Sequence, residues 1–174
     1  MASALKNLSD YDEQQLPSAA EMNIGIVVSD WNKHITHKLY EGCFETLIKH
    51  GAQEEHLHTI QVPGAFELTM GARIVTSGKR LDAVICLGCV IKGETDHDKY
   101  INHAVAAGLT NLGMMANIPM IYGVLTPNTE EQARERAGGK YGNKGVEAAV
   151  TAIRMANLKK TKGGKVEKKG IGFY

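Results

Sequence analysis

Residues 81–97 read LDAVICLGCVIKGETDH, and this stretch settles the fold class. From Leu81 to Ile91 the chain is almost continuously apolar, the signature of a strand whose sheet is covered on both faces, which is the habit of parallel sheets. Lys92-Gly93-Glu94-Thr95-Asp96 cuts the run, and from His97 the apolar positions Ile101, Ala104, Val105, Leu109 and Leu112 recur at helical spacing towards Asn117. The same strand-then-helix order repeats on either side. Upstream, residues 23–29 (NIGIVVS) predict a strand, and residues 36–50 an amphipathic helix built on Leu39, Cys43 and Leu47 and stopped by Gly51. Residues 56–62 predict a second strand ended by Pro63-Gly64, and residues 66–77 a helix with Leu68, Ala72 and Val75 on one face. Downstream, residues 118–125 predict a fourth strand. Thr129-Glu130-Glu131-Gln132 then fits a capping box opening a helix that ends at Gly138-Gly139, and residues 143–158 predict the last helix. Four strands alternating with helices place the chain in the α/β class: a parallel sheet, helices on both faces, right-handed crossovers.

The chain has 174 residues, 43% hydrophobic and 22% charged, the balance of one domain with a substantial core. Its longest apolar run, Ala83 to Ile91, falls far short of the ~20 residues a membrane-spanning helix needs. The first fifteen residues lack the apolar segment of a secretory leader, which predicts a cytoplasmic, reducing location in which the three cysteines stay thiols. The net charge of +1 is uneven: Lys159 to Lys169 holds six lysines and one glutamate, leaving a mildly acidic body. With no aromatic before Phe173, that run reads as a solvated tail rather than a nucleic-acid contact. Residues 1–21 are therefore assigned to a polar arm, 22–158 to the domain, and 159–174 to a basic tail.

In an α/β sheet, ligands sit beyond the carboxyl ends of the strands, so the residues following each strand carry the functional information. No GxGxxG follows the first strand and no GxxxxGK[ST] occurs, which argues against a dinucleotide enzyme or a P-loop ATPase. Cys86-x-x-Cys89 lies inside the apolar strand, where a separation of three puts the side chains on opposite faces, and reads as structural. His34-x-x-His37 and His56-x-His58 lack partners at a zinc spacing and read as exposed polar residues, so no metal site is expected. The turn Gly93 to His97 is different. Its backbone N–H groups and the helix dipole suit an anion, and His97 in the first helical turn suits proton transfer near neutral pH; the plainer reading is an ordinary helix start. Arg136 and Lys144 flank a glycine-rich stretch and either converge on the same anion or are surface charges. Trp31, the one tryptophan, follows the first strand and either stacks on a heterocycle or packs in a core or interface.

Together these loops resemble lumazine synthase, an enzyme family of the riboflavin pathway, over most of residues 23–158. The resemblance rests on Trp31-Asn32, on Val62 to Glu67, on Val90 to His97, and on Glu135 to Gly138 with Gly142 to Gly145, in that order. It implies a flavodoxin-like three-layer α/β/α sandwich around a four-stranded parallel sheet. It also implies condensation of 5-amino-6-(D-ribitylamino)uracil with 3,4-dihydroxy-2-butanone 4-phosphate to 6,7-dimethyl-8-ribityllumazine, chemistry that needs no metal or redox cofactor. By the same resemblance Trp31 stacks on the pyrimidine; Ala65, Phe66 and Glu67 hold the substrate, Glu67 through ribityl hydroxyls; and Cys89, Val90 and Ile91 offer backbone groups to the ring edge. The backbone at Glu94 and Thr95, with Arg136, binds phosphate; Lys144 supports it; His97 moves protons; and Tyr122 reaches the site from a neighbouring subunit. Family members form homopentamers, some closing into sixty-subunit shells, and the short stretch between Arg136 and Asn143 leans towards the shell. A non-catalytic flavin- or lumazine-binding or shell-forming protein is the alternative. Relatives often place an aromatic and then an acid after the histidine, whereas this chain has Asp98 and Lys99, so the carboxylate assisting His97 is Asp96, Asp98 or neither.

Overall fold

The structure is a computed structural model and describes Asn7 and residues 9–163; the tail beyond Gly163, with three of its six lysines, lies outside the described residues. Four strands, β1 (Ile24–Ser29), β2 (Leu57–Val62), β3 (Ala83–Cys89) and β4 (Met120–Leu125), form one parallel sheet in the order β2-β1-β3-β4. The expected central strand is β3, buried at every position and paired on both sides, Ile85 opposite Ile26 and Ile121. The helices α1 (Lys33–Lys49) and α5 (Lys144–Lys162) cover one face, and α2 (Leu68–Val75) and α3 (His97–Ala116) the other, giving the three-layer sandwich.

Alternation along the strands divides the core. Ile24, Ile26, Ile85, Leu87 and Cys89 pack with Leu39, Leu47 and Ile153 beneath α1 and α5. Val27, Val84 and Cys86 pack with Leu68, Val105 and Leu109 beneath α2 and α3. Each fully buried aliphatic side chain of this kind contributes about 1.5–3 kcal/mol relative to exposure. Cys86 and Cys89 thus lie on opposite faces, and all three cysteines are free and buried. Close approach of α1 and α5 is made at Gly145, where a Cβ would fall 1.8 Å from the Leu39 carbonyl oxygen. Only glycine fits there.

The element ends differ from the sequence expectation in ways that shape the site. Helix α1 starts at Lys33 rather than Thr36, because its N-cap, Asn32, adopts a left-handed backbone (φ 61°) and makes no side-chain cap. Helix α2 starts at Leu68 rather than Phe66: the Glu67 N–H donates to the Gly64 carbonyl and the Leu68 N–H to the Ala65 carbonyl, leaving residues 65–67 as a tight turn. Thr129 does cap the next helix, α4 (Glu130–Glu135), its hydroxyl accepting from the Gln132 N–H while the Gln132 side chain accepts from the Asn128 N–H. That helix ends before Gly138-Gly139. Two short antiparallel strands follow, β5 (Ala137–Gly139) and β6 (Gly142–Asn143), their turn using positive φ at Gly138 (105°) and Gly142 (83°). Helix α5 runs past Leu158 to Lys162, so Lys159, Lys160 and Lys162 occupy its last turn, where the helix dipole favours cations. Nor is the whole arm detached, since Leu16 and Ala19 are buried in the core. Among the described residues no helix is long and apolar enough to cross a membrane.

Candidate active site

Loops following β1, β2 and β3 meet at the carboxyl edge of the sheet, tied together by backbone bonds. The N–H of Asp30 donates to the Val62 carbonyl (2.8 Å) and that of Trp31 to the Pro63 carbonyl (3.0 Å), so the loop after β1 lies on the loop after β2. On the other side the Asn32 carboxamide donates through Nδ2 to the Cys89 carbonyl at 3.0 Å, joining the end of β1 to the end of β3. The left-handed turn at Asn32 is what aims that amide across the gap. It also leaves Trp31 72% exposed, and Phe66 is 59% exposed. Two large aromatics facing solvent beside a sheet edge are costly to leave uncovered and suit a planar ligand.

Strand alternation settles which backbone groups are free there. The Val90 N–H donates to the Leu125 carbonyl and the Lys92 N–H to the Pro127 carbonyl, both towards β4. Residues two apart on an extended chain point the same way, so the Ile91 N–H faces the β1 side, beside the Cys89 carbonyl that Asn32 already occupies. Of the three strand-end residues expected to line the ring edge, Ile91 is the one left with a backbone donor on that side. Burial pushes the Cys89 thiol up to about 12, with the Glu130 carboxylate adding to it, so this side chain is a neutral wall and not a nucleophile.

Glu94, Thr95, Asp96 and His97 are all exposed at the start of α3. Asp96 is the N-cap but makes no side-chain cap; its carboxylate is bound instead by the Lys99 ammonium at 2.7 Å. Asp98 Oδ1 is buried without a hydrogen-bond partner. Among the described residues neither carboxylate hydrogen-bonds to His97. Glu67 sits partly buried in the turn after β2, its Oε2 lying 3.0 Å from where a Cβ on Gly64 would stand, and Gly64 therefore makes room for that carboxylate.

The remaining expected residues form a second group. Arg136 and Lys144 converge, but on Glu147: Arg136 Nη2 lies 2.8 Å from Oε1 and Lys144 Nζ 3.2 Å from Oε2, with the three side chains only 18–24% exposed. Arg136 Nη1 also donates to the Tyr141 carbonyl at 2.8 Å. No described hydrogen bond or ion pair links Arg136 or Lys144 to the turn at residues 93–97. Lys144, Glu147 and Tyr122 instead open on a groove of about 870 Å³ along the edge strand β4, between α3 and α5. Burial holds the Tyr122 phenol above its ordinary range, a neutral hydrogen-bonding group. Met114 and Leu158, both exposed, line the same groove. Sequence reading missed two participants. Asn32 gave no signal beyond its neighbour Trp31, whereas Glu147 was detectable as an acid one helical turn after Lys144.

The histidine pairs are dispersed: His34 Nε2 lies 3.0 Å from Glu130 and His37 Nε2 3.9 Å from Asp30. No group of three metal-ligating side chains occurs among the described residues.

Comparison with known proteins assigns the arrangement. Residues 21–160 match the family model described as 6,7-dimethyl-8-ribityllumazine synthase. A protein of that name from Parabacteroides distasonis is 55% identical over 158 residues, covering 91% of this chain and 99% of its own length. Those from Phocaeicola vulgatus and Cytophaga hutchinsonii are 50% and 51% identical, covering 91% and 89% of this chain and 95% and 97% of theirs. A chain matched along nearly its whole domain, and folded as a four-stranded parallel sheet between two layers of helices, belongs to the 6,7-dimethyl-8-ribityllumazine synthase family.

Proposed function

We infer that the chain is a transferase of riboflavin biosynthesis that condenses 5-amino-6-(D-ribitylamino)uracil with 3,4-dihydroxy-2-butanone 4-phosphate, releasing 6,7-dimethyl-8-ribityllumazine, phosphate and water. The observation that carries this reading is 50–55% identity to synthases of that name along nine-tenths of the chain. Nothing favours a non-catalytic binding protein.

In this reading each residue has a stated part. The pyrimidine lies against Trp31, its ring edge met by the Ile91 N–H, while Phe66 covers it and Glu67 accepts from ribityl hydroxyls. An amine of the pyrimidine condenses with the ketone to give an imine and water. Loss of a proton from the adjacent hydroxyl-bearing carbon then expels phosphate and leaves an enol, which tautomerises to a new ketone. The second amine closes the ring on that carbonyl with loss of a second water. Every step moves a proton, and His97, exposed beside the anion-binding turn, is the group placed to carry it. The phosphate sits on the amides of Glu94 and Thr95 at the start of α3.

Arg136, Lys144 and Tyr122 belong to the same site only if a neighbouring copy supplies them. Lys144 and Tyr122 line the β4 edge groove, and Arg136 pairs with Glu147, which also binds Lys144, with no described bond to residues 93–97. This supports a site completed between subunits of a homopentamer, and the exposed Met114 and Leu158 of the groove support an interface. The short stretch between Arg136 and Asn143 leans towards closure of such pentamers into a sixty-subunit shell. Free buried thiols support a cytoplasmic setting. Steady-state appearance of the fluorescent lumazine from the two substrates tests the function; flavin binding without turnover would overturn it.

A further inference from the structure

We propose that Glu147 is a positioning residue for phosphate recognition, holding Arg136 and Lys144 as one pre-set pair of cations. The proposal rests on the reading above, in which those two side chains bind the substrate phosphate. Two positive side chains that share an anion must be kept close together before it arrives, and unassisted they repel. Glu147, one turn into α5, meets both: Oε1 faces Arg136 Nη2 at 2.8 Å and Oε2 faces Lys144 Nζ at 3.2 Å. The carboxylate is only 18% exposed, so its field is weakly screened. It does not exhaust the donors. A guanidinium carries five N–H groups and an ammonium three; Arg136 spends one on the Tyr141 carbonyl and Lys144 one on Glu147.

Geometry separates positioning from competition. The Arg136–Glu147 contact is close but poorly aligned, since Oε1 is buried and accepts no well-directed hydrogen bond. Arg136 is therefore oriented chiefly by the Tyr141 carbonyl, with Glu147 supplying the charge that keeps the fork facing Lys144. The Arg136 backbone is fixed as well, its carbonyl accepting the Lys144 N–H at 2.9 Å across the β5–β6 hairpin. Backbone and carboxylate together leave the two cationic heads little freedom, so a phosphate meets prearranged donors rather than two mobile chains.

The two roles predict opposite signs. Were Glu147 only a negative charge beside the phosphate, Glu147→Gln would make the site more positive and tighten anion binding. As a positioning residue its loss loosens binding despite the added positive charge. We expect Glu147→Gln to weaken binding of inorganic phosphate, measured calorimetrically on the assembled protein, by roughly tenfold, the lower end of what losing an orienting partner costs. The KM for the phosphorylated ketone should rise with it while the KM for the pyrimidine stays unchanged, and Glu147→Asp should recover part of the loss. Unchanged or tighter phosphate binding in Glu147→Gln overturns the proposal. If that variant does not fold, Glu147→Asp decides: phosphate affinity equal to wild type overturns it. Arg136→Ala is the control on the underlying reading, for if it leaves phosphate binding intact the site assignment fails, whereas a loss in Arg136→Ala without one in Glu147→Gln refutes Glu147 alone.

Discussion

Two chains, one carrying His97→Ala and the other Arg136→Ala, should each assemble into a poorly active protein and together restore activity. His97 opens α3 at the carboxyl end of β3, while Arg136 is bound to the Tyr141 carbonyl at 2.8 Å and paired with Glu147 near the β4 edge. If every site takes its strand-end loops from one subunit and its β4 edge from the next, each substitution impairs all sites in a uniform assembly. In a mixed ring formed from equal amounts, a site is intact when its loops come from an Arg136→Ala chain and its edge from a His97→Ala chain. With random placement each condition holds half the time, so about one quarter of the sites should be wild type in a ring of head-to-tail interfaces. Recovery should fall as the mixing ratio departs from equality, symmetrically for the two variants. The assay is lumazine fluorescence from co-expressed chains, against the weighted mean of the two uniform preparations. Activity no greater than that mean would refute the divided site, because two defects within one chain's own site cannot complement.

Trp31, the only indole and 72% exposed, should be quenched by the pyrimidine or the product at saturation; an unchanged emission spectrum would leave it a surface aromatic. His97→Ala should lower kcat by roughly ten- to ten-thousand-fold, nearer the lower end because orienting two bound substrates carries part of the rate. It should also flatten the pH–rate profile, and an unchanged profile removes His97 from proton transfer. Burial pushes the Cys86 and Cys89 thiols up to about 12, while unfolded thiols ionise near ~8.5. Their contribution to stability is therefore full below that value and lost as pH rises towards 12, so the urea midpoint should fall across this window. A thiol reagent at pH 8 should label no cysteine until denaturant is added.

Much of this architecture was legible because apolar periodicity records burial. The run from Leu81 to Ile91 could only be a covered strand, and β3 proved buried at every position. The opposite facing of Cys86 and Cys89 followed from the two-residue period alone. What periodicity does not record is local backbone geometry. The early start of α1 depended on a left-handed Asn32, and the β5–β6 hairpin on positive φ at two glycines, both invisible to a count of apolar residues. At the site, chain order revealed which residue types stand after each strand but not which way the charges face. Arg136 and Lys144 looked ready to join the turn at residues 93–97, whereas α5 carries Lys144 and Glu147 to the β4 groove and Arg136, at the end of α4, pairs with that Glu147. Sequence spacing along one chain also holds no information about a surface that a second copy would complete.

If the site is divided between subunits as proposed, the separation of the strand-end loops from the β4 edge makes substrate a structural ligand as well as a reactant. A molecule held at its ring by Trp31 of one copy and at its phosphate by Arg136 of the next binds the joined pair and neither chain alone. By mass action each occupied site then stabilises the interface, by about 2.7 kcal/mol when free ligand stands at a hundred times its dissociation constant. Dissociation on dilution should accordingly be slower with substrate analogue or phosphate present. Assembly and turnover would then draw on one binding energy, and a cell short of substrate would hold a looser enzyme than one that is supplied.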